Sequence, residues 1–263
     1  MKTPPVVLTI AGSDSGAGAG IQVDARTIHA LGGYAVTVIT AVTAQNTRGV
    51  SAWRPVDIDL LSAQIEAVMS DFKVVAIKTG LIPGAAAVQA IVAALKAWPR
   101  IPLVLDPVLG STSGTQFLSA AGVRVLKDTL LPRATLVTPN WPEAEELSGF
   151  KVRDFSAVEA AAWEIMKTGC GAVLIKGGHA PGAVCRDCLV TPDGRAKWFE
   201  SPRIKTVNTH GTGCVLSAAI ATELGKGVLV ERGVERAQKF LRAALRDGCR
   251  LRFGGGYGPA FAG

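Results

Sequence analysis

The stretch VNTHGTGCVLSAAIATELG, from Val207 to Gly225, sets Gly211, Thr212, Gly213 and Cys214 directly against an apolar helical run. Glycines let backbone N–H groups converge without side-chain obstruction. The helix that follows adds the positive end of its dipole. Together these features suit the charge that develops on a transferring phosphoryl group. Cys214, in the first helical turn, would have its thiolate favoured by the same field. Taken alone, the stretch is also a glycine-rich cap followed by a small buried residue.

Other chemistry-bearing residues stand where apolar runs end. Asp106 closes IPLVLDP, and Asn140 and Glu143 follow ATLVTP. Oxygen ligands of this kind, placed around phosphates, suit magnesium, often through water. Lys176 ends AVLIK and leads into two glycines. A lysine there can meet a phosphate as a point charge. As a set, these residues point to phosphoryl transfer, in which positioning and electrostatics supply most of the catalysis.

The elements that must carry them alternate. Val6–Ile10, YAVTVITAV, VVAIKTG, IPLVLDP, ATLVTPN and GAVLIKGG read as strands. Between them lie helical patterns: Ile21, Ala25 and Ile28; Leu61, Ile65 and Val68; GAAAVQAIVAALKAW; the short WPEAEELSG, with Pro142 in its first turn; and FSAVEAAAWEIMKTG. CRDCLV and AKWFE form a hairpin around TPDG. Thr212–Leu224 and Glu231–Arg246 close the chain as helices. The pattern predicts an α/β fold whose mostly parallel central sheet is covered by helices on both faces. One domain, 1–263, is the simplest arrangement. Ligands of such sheets bind beyond the carboxyl ends of the strands. The unusual loops fall there: AGSDSGAGAG, KTGLIPG, DPVLGSTSG, TPN, KGGH and NTHGTGC.

Several classes are set aside. Gly16, Gly18 and Gly20 alternate, so they do not make a dinucleotide fingerprint, and no P-loop or protein-kinase motif occurs. Cys185 and Cys188 form a lone C-x-x-C whose thiols would face opposite sides of a strand, so packing roles are expected. His29 reads as a surface or packing residue, and His179 as a possible pocket residue. The net charge of +7 gathers late, on an amphipathic helix without aromatic interleaving. A solvated helix face is expected there, with neither nucleic acid nor membrane as partner. The opening apolar run is too short for a signal peptide, and five cysteines suit reduced thiols. Cytoplasm is the expected compartment.

The motifs LTIAGSDSGAGAGIQVDARTI, VITAVTAQNTRGV, AIKTG, VLDPV, TPNWPEAEEL, VLIKGGH and TVNTHGTGCVLSAAIA, in this order, resemble the hydroxymethylpyrimidine/phosphomethylpyrimidine kinases of thiamine biosynthesis. These belong to the ribokinase-like superfamily. The resemblance spans almost the whole chain. It implies ATP and Mg2+ as cofactors and a homodimer. It also implies two successive phosphorylations, of 4-amino-5-hydroxymethyl-2-methylpyrimidine and then of its monophosphate. By position it implies a pyrimidine pocket of Gly12, Asp24, Gln45, Leu81 and Val108. It places Asn140 and Lys176 against ATP, Asp106 and Glu143 near the metal, and Gly211–Cys214 at the transferring phosphoryl group.

The chain departs from the family pattern at Thr112, where lysine is common, and at Thr115, where aspartate is common; Ser113 and Gly114 remain. Leu81 replaces a frequent methionine and keeps an apolar wall. Cys188 stands where a second acidic residue often follows Asp187. A pyridoxal kinase-like activity would use the same fold and anion hole. A non-catalytic nucleotide-binding protein is the alternative from another class.

Overall fold

The computed structural model describes residues 3–110, 114–180 and 182–261, the side chain of His179 excepted. Thr112 and Ser113 lie outside the described residues. Among the described residues nine strands form one continuous sheet: β1 (Val6–Asp14), β2 (Tyr34–Asn46), β3 (Gly49–Pro55), β4 (Val74–Thr79), β5 (Leu103–Leu105), β6 (Leu136–Val137), β7 (Val173–Ile175), β8 (Val184–Val190) and β9 (Ala196–Pro202). Their order is β3-β2-β1-β4-β5-β6-β7-β8-β9. The inner strands, β2 through β7, pair in parallel. Each edge is antiparallel, with β3 on β2 and the β8–β9 hairpin on β7.

Among the described residues eight α-helices cover the sheet: α1 (Gly20–Ala30), α2 (Ile58–Asp71), α3 (Gly84–Leu95), α4 (Ala120–Val125), α5 (Trp141–Ser148), α6 (Phe155–Met166), α7 (Thr212–Gly225) and α8 (Val230–Gly248). Helices α2 to α6 pack one face through a core that includes Leu61, Ile91, Val123, Leu147 and Ile165. Helices α1, α7 and α8 pack the other, around Ile28, Leu216, Ile220 and Val234. Removing such side chains from water stabilises the fold by roughly 1.5–3 kcal/mol each. Helix α7 is buried almost all round from Val215 to Glu223. Its alanines bring it close to β1, β4 and β5. Its N-terminus thereby lands at the carboxyl ends of the central strands, beside β1, where the strand order reverses.

The alternation read from the sequence holds, with instructive differences. The central strands are shorter than their apolar runs: three residues in β5 and β7, two in β6. The rest of each run is extended chain leading to the site. Strand β2 continues past the expected YAVTVITAV to Asn46 and turns into β3. Most of β3 is exposed, so it carries no apolar run to announce it. In α1 the buried face is Val23, Asp24, Thr27 and Ile28 rather than Ile21, Ala25 and Ile28. Two polar residues therefore face inward, and apolar periodicity misplaces the stripe. Cys185 and Cys188 do take opposite faces of β8. Cys185 lines a cavity, whereas Cys188 is sealed in the core and its thiol is pushed up to about 12, chiefly by burial.

Candidate active site

A cavity of about 980 Å3 opens beyond the carboxyl ends of the central strands. One end is walled by Gly12, Gln45, Leu81 and Val108, the other by Asn140, Glu143 and Lys176, and Asp106 and Gly211–Cys214 lie on the wall as well. Other loops contribute, but the residues singled out from sequence as the candidate site converge here with one exception. Asp24 does not line the cavity.

Two glycines set the crossing from which α7 starts. Gly211 caps the helix at φ +76°, and a Cβ there would stand 1.9 Å from the Gly18 carbonyl oxygen. No side chain fits, so the β1–α1 loop and the start of α7 pass at backbone contact. At Gly213 a Cβ would come 3.2 Å from Lys176 Nζ and 3.4 Å from Asp106 Oδ2. The first turn of α7 thus exposes peptide groups beside a charged cluster, as an anion hole requires.

That cluster is built by β5, α5 and β7. Asp106 is buried and accepts hydrogen bonds from Lys176 Nζ at 2.7 Å, Thr138 Oγ1 at 3.3 Å and Ser217 Oγ at 3.3 Å. Lys176 Nζ also stands 3.8 Å from Glu143 Oε2. Burial alone would push the Lys176 ammonium down, but the Asp106 and Glu143 charges hold it above its ordinary value. Glu143 and Asn140 form a reciprocal cap on α5. Asn140 Oδ1 accepts from the Glu143 amide at 2.9 Å, and Glu143 Oε2 accepts from the Asn140 amide at 2.7 Å. Burial pushes the Glu143 carboxyl up to about 7, with Lys176 opposing and Asp106 adding to the rise. The Asn140 oxygen is committed to the cap, which leaves its amide nitrogen for a ligand.

On the other side, Gly12 lies under Leu81, whose Cδ1 would be 3.3 Å from a Cβ at position 12. Gln45 is the last residue but one of β2, its backbone amide donating to Ser15 Oγ at 2.8 Å. Its side-chain amide reaches His210 Nε2 at 3.1 Å. His210 Nε2 also stands 3.0 Å from Asp14 Oδ2.

Beneath this floor lies a second charge pair. Lys78 Nζ meets Asp24 Oδ2 at 2.7 Å, with both side chains fully buried. Thr9 Oγ1 donates to the same oxygen at 2.6 Å. Burial raises the Asp24 carboxyl despite Lys78, and the Lys78 ammonium is held high against burial by Asp24, Cys214 and Asp106. The Cys214 thiol is itself pushed up to about 11, chiefly by burial and further by Asp24 and Asp106, against Lys78 and the Gly20 amide. Burial and the neighbouring carboxylates thus oppose the thiolate that the helix start favours.

His210, Asp14 and Lys78 were not singled out in the sequence. Lys78 carries a readable signal, a lysine inside the apolar strand VVAIKT, by the same reasoning that flagged Lys176. His210 sits in the motif itself, but nothing local names its partners.

A continuous sheet covered on both faces, a helix start opening on a lysine–carboxylate cluster and a cleft beside it define a small-molecule kinase of the ribokinase-like group. The phosphomethylpyrimidine kinase family profile matches residues 14–260. The hydroxymethylpyrimidine/phosphomethylpyrimidine kinase of Haemophilus influenzae is 42% identical over 98% of this chain and 97% of its own. Among solved structures, the phosphomethylpyrimidine kinase of Clostridium difficile 630 is 37% identical, covers 92% of this chain and 99% of its own, and superposes with a TM-score of 0.81. The pyridoxal kinase of Bacillus subtilis in an ADP complex is 31% identical, with 98% of each chain covered and a TM-score of 0.89. This chain belongs to the phosphomethylpyrimidine kinase family.

Proposed function

We infer that this chain transfers the γ-phosphoryl group of ATP to the hydroxymethyl oxygen of 4-amino-5-hydroxymethyl-2-methylpyrimidine, and then a second phosphoryl group to the resulting monophosphate, in thiamine biosynthesis. The observation that carries this reading is the near full-length likeness to kinases of that name. In each step the acceptor oxygen forms a bond to phosphorus while the bond between phosphorus and the bridging oxygen of ATP breaks. The acceptor's proton leaves to water or to the new phosphate.

The pyrimidine sits against Gln45, Gly12, Leu81 and Val108. A glutamine amide both donates and accepts, which matches an aminopyrimidine edge. Lys176 and Asn140 face the nucleotide, and the N–H groups of Gly211–Cys214 receive the phosphoryl group in transit. A neutral Cys214 thiol orients the acceptor hydroxyl rather than ionising it, in keeping with a loose transition state that needs little early deprotonation. Asp24 acts from below the pocket, through Lys78 and Cys214.

Asp106 and Glu143 are the residues that would hold Mg2+. Among the described residues no group of three or more His, Cys, Asp or Glu side chains could hold a metal alone. An ion here would need nucleotide phosphates as further ligands, as magnesium usually does. It would supply charge neutralisation for the phosphates.

The expected working form is a cytoplasmic homodimer, which size-exclusion chromatography with light scattering would test. Among the described residues no helix is long and apolar enough to cross a membrane. Pyridoxal is a second candidate acceptor, favoured by the likeness to pyridoxal kinases, including a Staphylococcus aureus structure bound to AMP-PCP and pyridoxal with a TM-score of 0.90. Steady-state kinetics with Mg-ATP on the free pyrimidine, its monophosphate and pyridoxal would decide. Turnover of both pyrimidines supports the reading. Turnover of pyridoxal alone, or of none, contradicts it.

A further inference from the structure

The wall of the pocket at Gln45 contains a donor conflict that only one arrangement resolves. His210 Nε2 lies 3.0 Å from Asp14 Oδ2 and 3.1 Å from the Gln45 amide nitrogen. One imidazole nitrogen either carries a proton or presents a lone pair; it cannot do both. Asp14 decides which. Its oxygens also accept from the backbone amides of Gly16 at 2.8 Å, Ala19 at 2.9 Å and Gly18 at 3.1 Å. Burial would raise this carboxyl, but the His210 bond and the loop amides outweigh it and hold it below the usual range. Asp14 is an anion that accepts only, so His210 Nε2 carries the proton and donates to it.

The amide nitrogen of Gln45 then faces a second donor. A half-turn of the amide exchanges its oxygen and nitrogen, and hydrogen bonding decides between the two forms. After the half-turn, Oε1 faces His210 Nε2–H, which it shares with Asp14 as a three-centre hydrogen bond. The NH2 group then faces Thr43 Oγ1, which lies 3.4 Å from the other end of the amide. Thr43 can accept there, because its own proton goes to the Ser13 carbonyl at 3.0 Å. Every donor now has an acceptor. One amide N–H and one oxygen lone pair of Gln45 remain for a ligand.

We propose that His210 is a positioning residue that fixes which way round the Gln45 amide meets the substrate, and so helps select an aminopyrimidine edge. This rests on the pyrimidine reading given above. Such an edge offers an acceptor ring nitrogen beside a donor amino group, which matches the remaining pair. A pyridine ring without an adjacent amino group satisfies only half of it. The imidazole is held for the task. The His210 backbone amide donates to the Gly258 carbonyl at 3.1 Å, and its carbonyl accepts from Ala260 at 3.1 Å. Gly18 leaves the ring room, since a Cβ there would stand 2.4 Å from His210 Cδ2. The ring is thus pinned between the C-terminal segment and the β1–α1 loop.

The test compares His210→Phe, His210→Gln and His210→Asn with the wild type. It reads pyrimidine binding by titration, together with KM and kcat for the pyrimidine, for pyridoxal and for ATP. A glutamine amide can place a donor near Nε2; asparagine is too short. His210→Phe and His210→Asn should raise the Kd and KM for the pyrimidine about tenfold to a hundredfold. They should leave the KM for ATP within about twofold, and affect pyridoxal less than the pyrimidine. His210→Gln should recover most of the loss. In the background of Gln45→Ala, His210→Phe should add little, because it acts through the amide it orients. Equal losses for pyrimidine and ATP, additive losses in the double variant, or no difference between glutamine and asparagine would overturn the proposal. If His210→Phe does not fold, the glutamine–asparagine comparison carries the test. A wild type that binds the pyrimidine without turning it over would refute the assigned reaction while the titrations still test His210. A wild type that does not bind it would overturn both.

Discussion

The lysine–aspartate pairs Lys78–Asp24 and Lys176–Asp106, each at 2.7 Å, differ in what surrounds them. Lys78 and Asp24 are sealed, with no exposed side-chain surface on either. Lys176 and Asp106 sit on the cavity wall, where 14% of the lysine side chain remains open. The sealed pair has nowhere to turn: Asp24 holds Lys78 and Thr9, and its other oxygen has no partner among the described residues. The open lysine already stands between two carboxylates and beside the start of α7. An incoming phosphate can offer it a new counter-charge. The same contact is thus architecture in one place and, on our reading, machinery in the other. Access, rather than pair geometry, separates them.

The largest effect should come from breaking the sealed pair. Lys78→Met leaves Asp24 as an unpaired buried charge and should cost about 3–5 kcal/mol of stability by denaturant titration. Adding Asp24→Leu should recover much of that loss. A Lys78→Met protein as stable as the wild type would remove the distinction drawn here.

At the open pair the loss should fall on catalysis. Lys176→Ala should lower kcat/KM for ATP by roughly a hundredfold to a thousandfold, by analogy with removing one donor from an oxyanion hole. Stability should change by about 1 kcal/mol or less, because water reaches Asp106 through the cavity. Unchanged ATP dependence would sink the phosphate role.

Glu143 sharpens the comparison through pH. Its carboxyl sits near 7 in the folded chain against an ordinary 4.5, so the folded state holds a proton that the unfolded state has released. Stability contributed by this group should therefore fall as pH rises from about 4.5 to about 7, and then level off. Glu143→Gln should flatten that part of the profile. Melting temperatures of the two proteins across the window give the comparison, and identical slopes would contradict it. Mg-ATP should restore stability most above pH 7, where the carboxylate is ionised.

The smallest effect expected is at Cys214. With its thiol near 11, Cys214→Ala should lower kcat modestly, by about threefold to tenfold, with a nearly unchanged pH profile between about 6 and 8. A large loss together with a shifted profile would restore the role of base.

Much of this was legible in the sequence, and the exceptions have physical causes. Apolar runs marked every parallel strand, and the loops at their ends marked the cavity. Lys176 was readable because a lysine closing an apolar strand needs a counter-charge. Lys78 obeys the same rule, and the glycine loop KTGLIPG follows it, but its partner on α1 cannot be read from the local sequence. Asp24 was visible as a residue but not as an inward-facing one, because α1 buries polar side chains that a hydrophobic stripe does not reveal. Its tie to Lys78 spans 54 residues of sequence. The contacts of His210 span 165 residues to Gln45 and 196 to Asp14, and only the folded crossing of two glycine loops brings them together. The raised thiol of Cys214 was also hidden. A helix start is visible in sequence, whereas the partial burial and the carboxylates that oppose it come from distant parts of the chain.

The most direct test is a crystal structure of the chain with hydroxymethylpyrimidine and a non-hydrolysable ATP analogue. The account predicts the pyrimidine edge against Gln45 and the terminal phosphate at the N–H groups of Gly211–Cys214. Lys176 should have swung from Asp106 towards that phosphate, while Lys78 remains on Asp24. A terminal phosphate bound away from the start of α7, or a pyrimidine that does not touch Gln45, would contradict it.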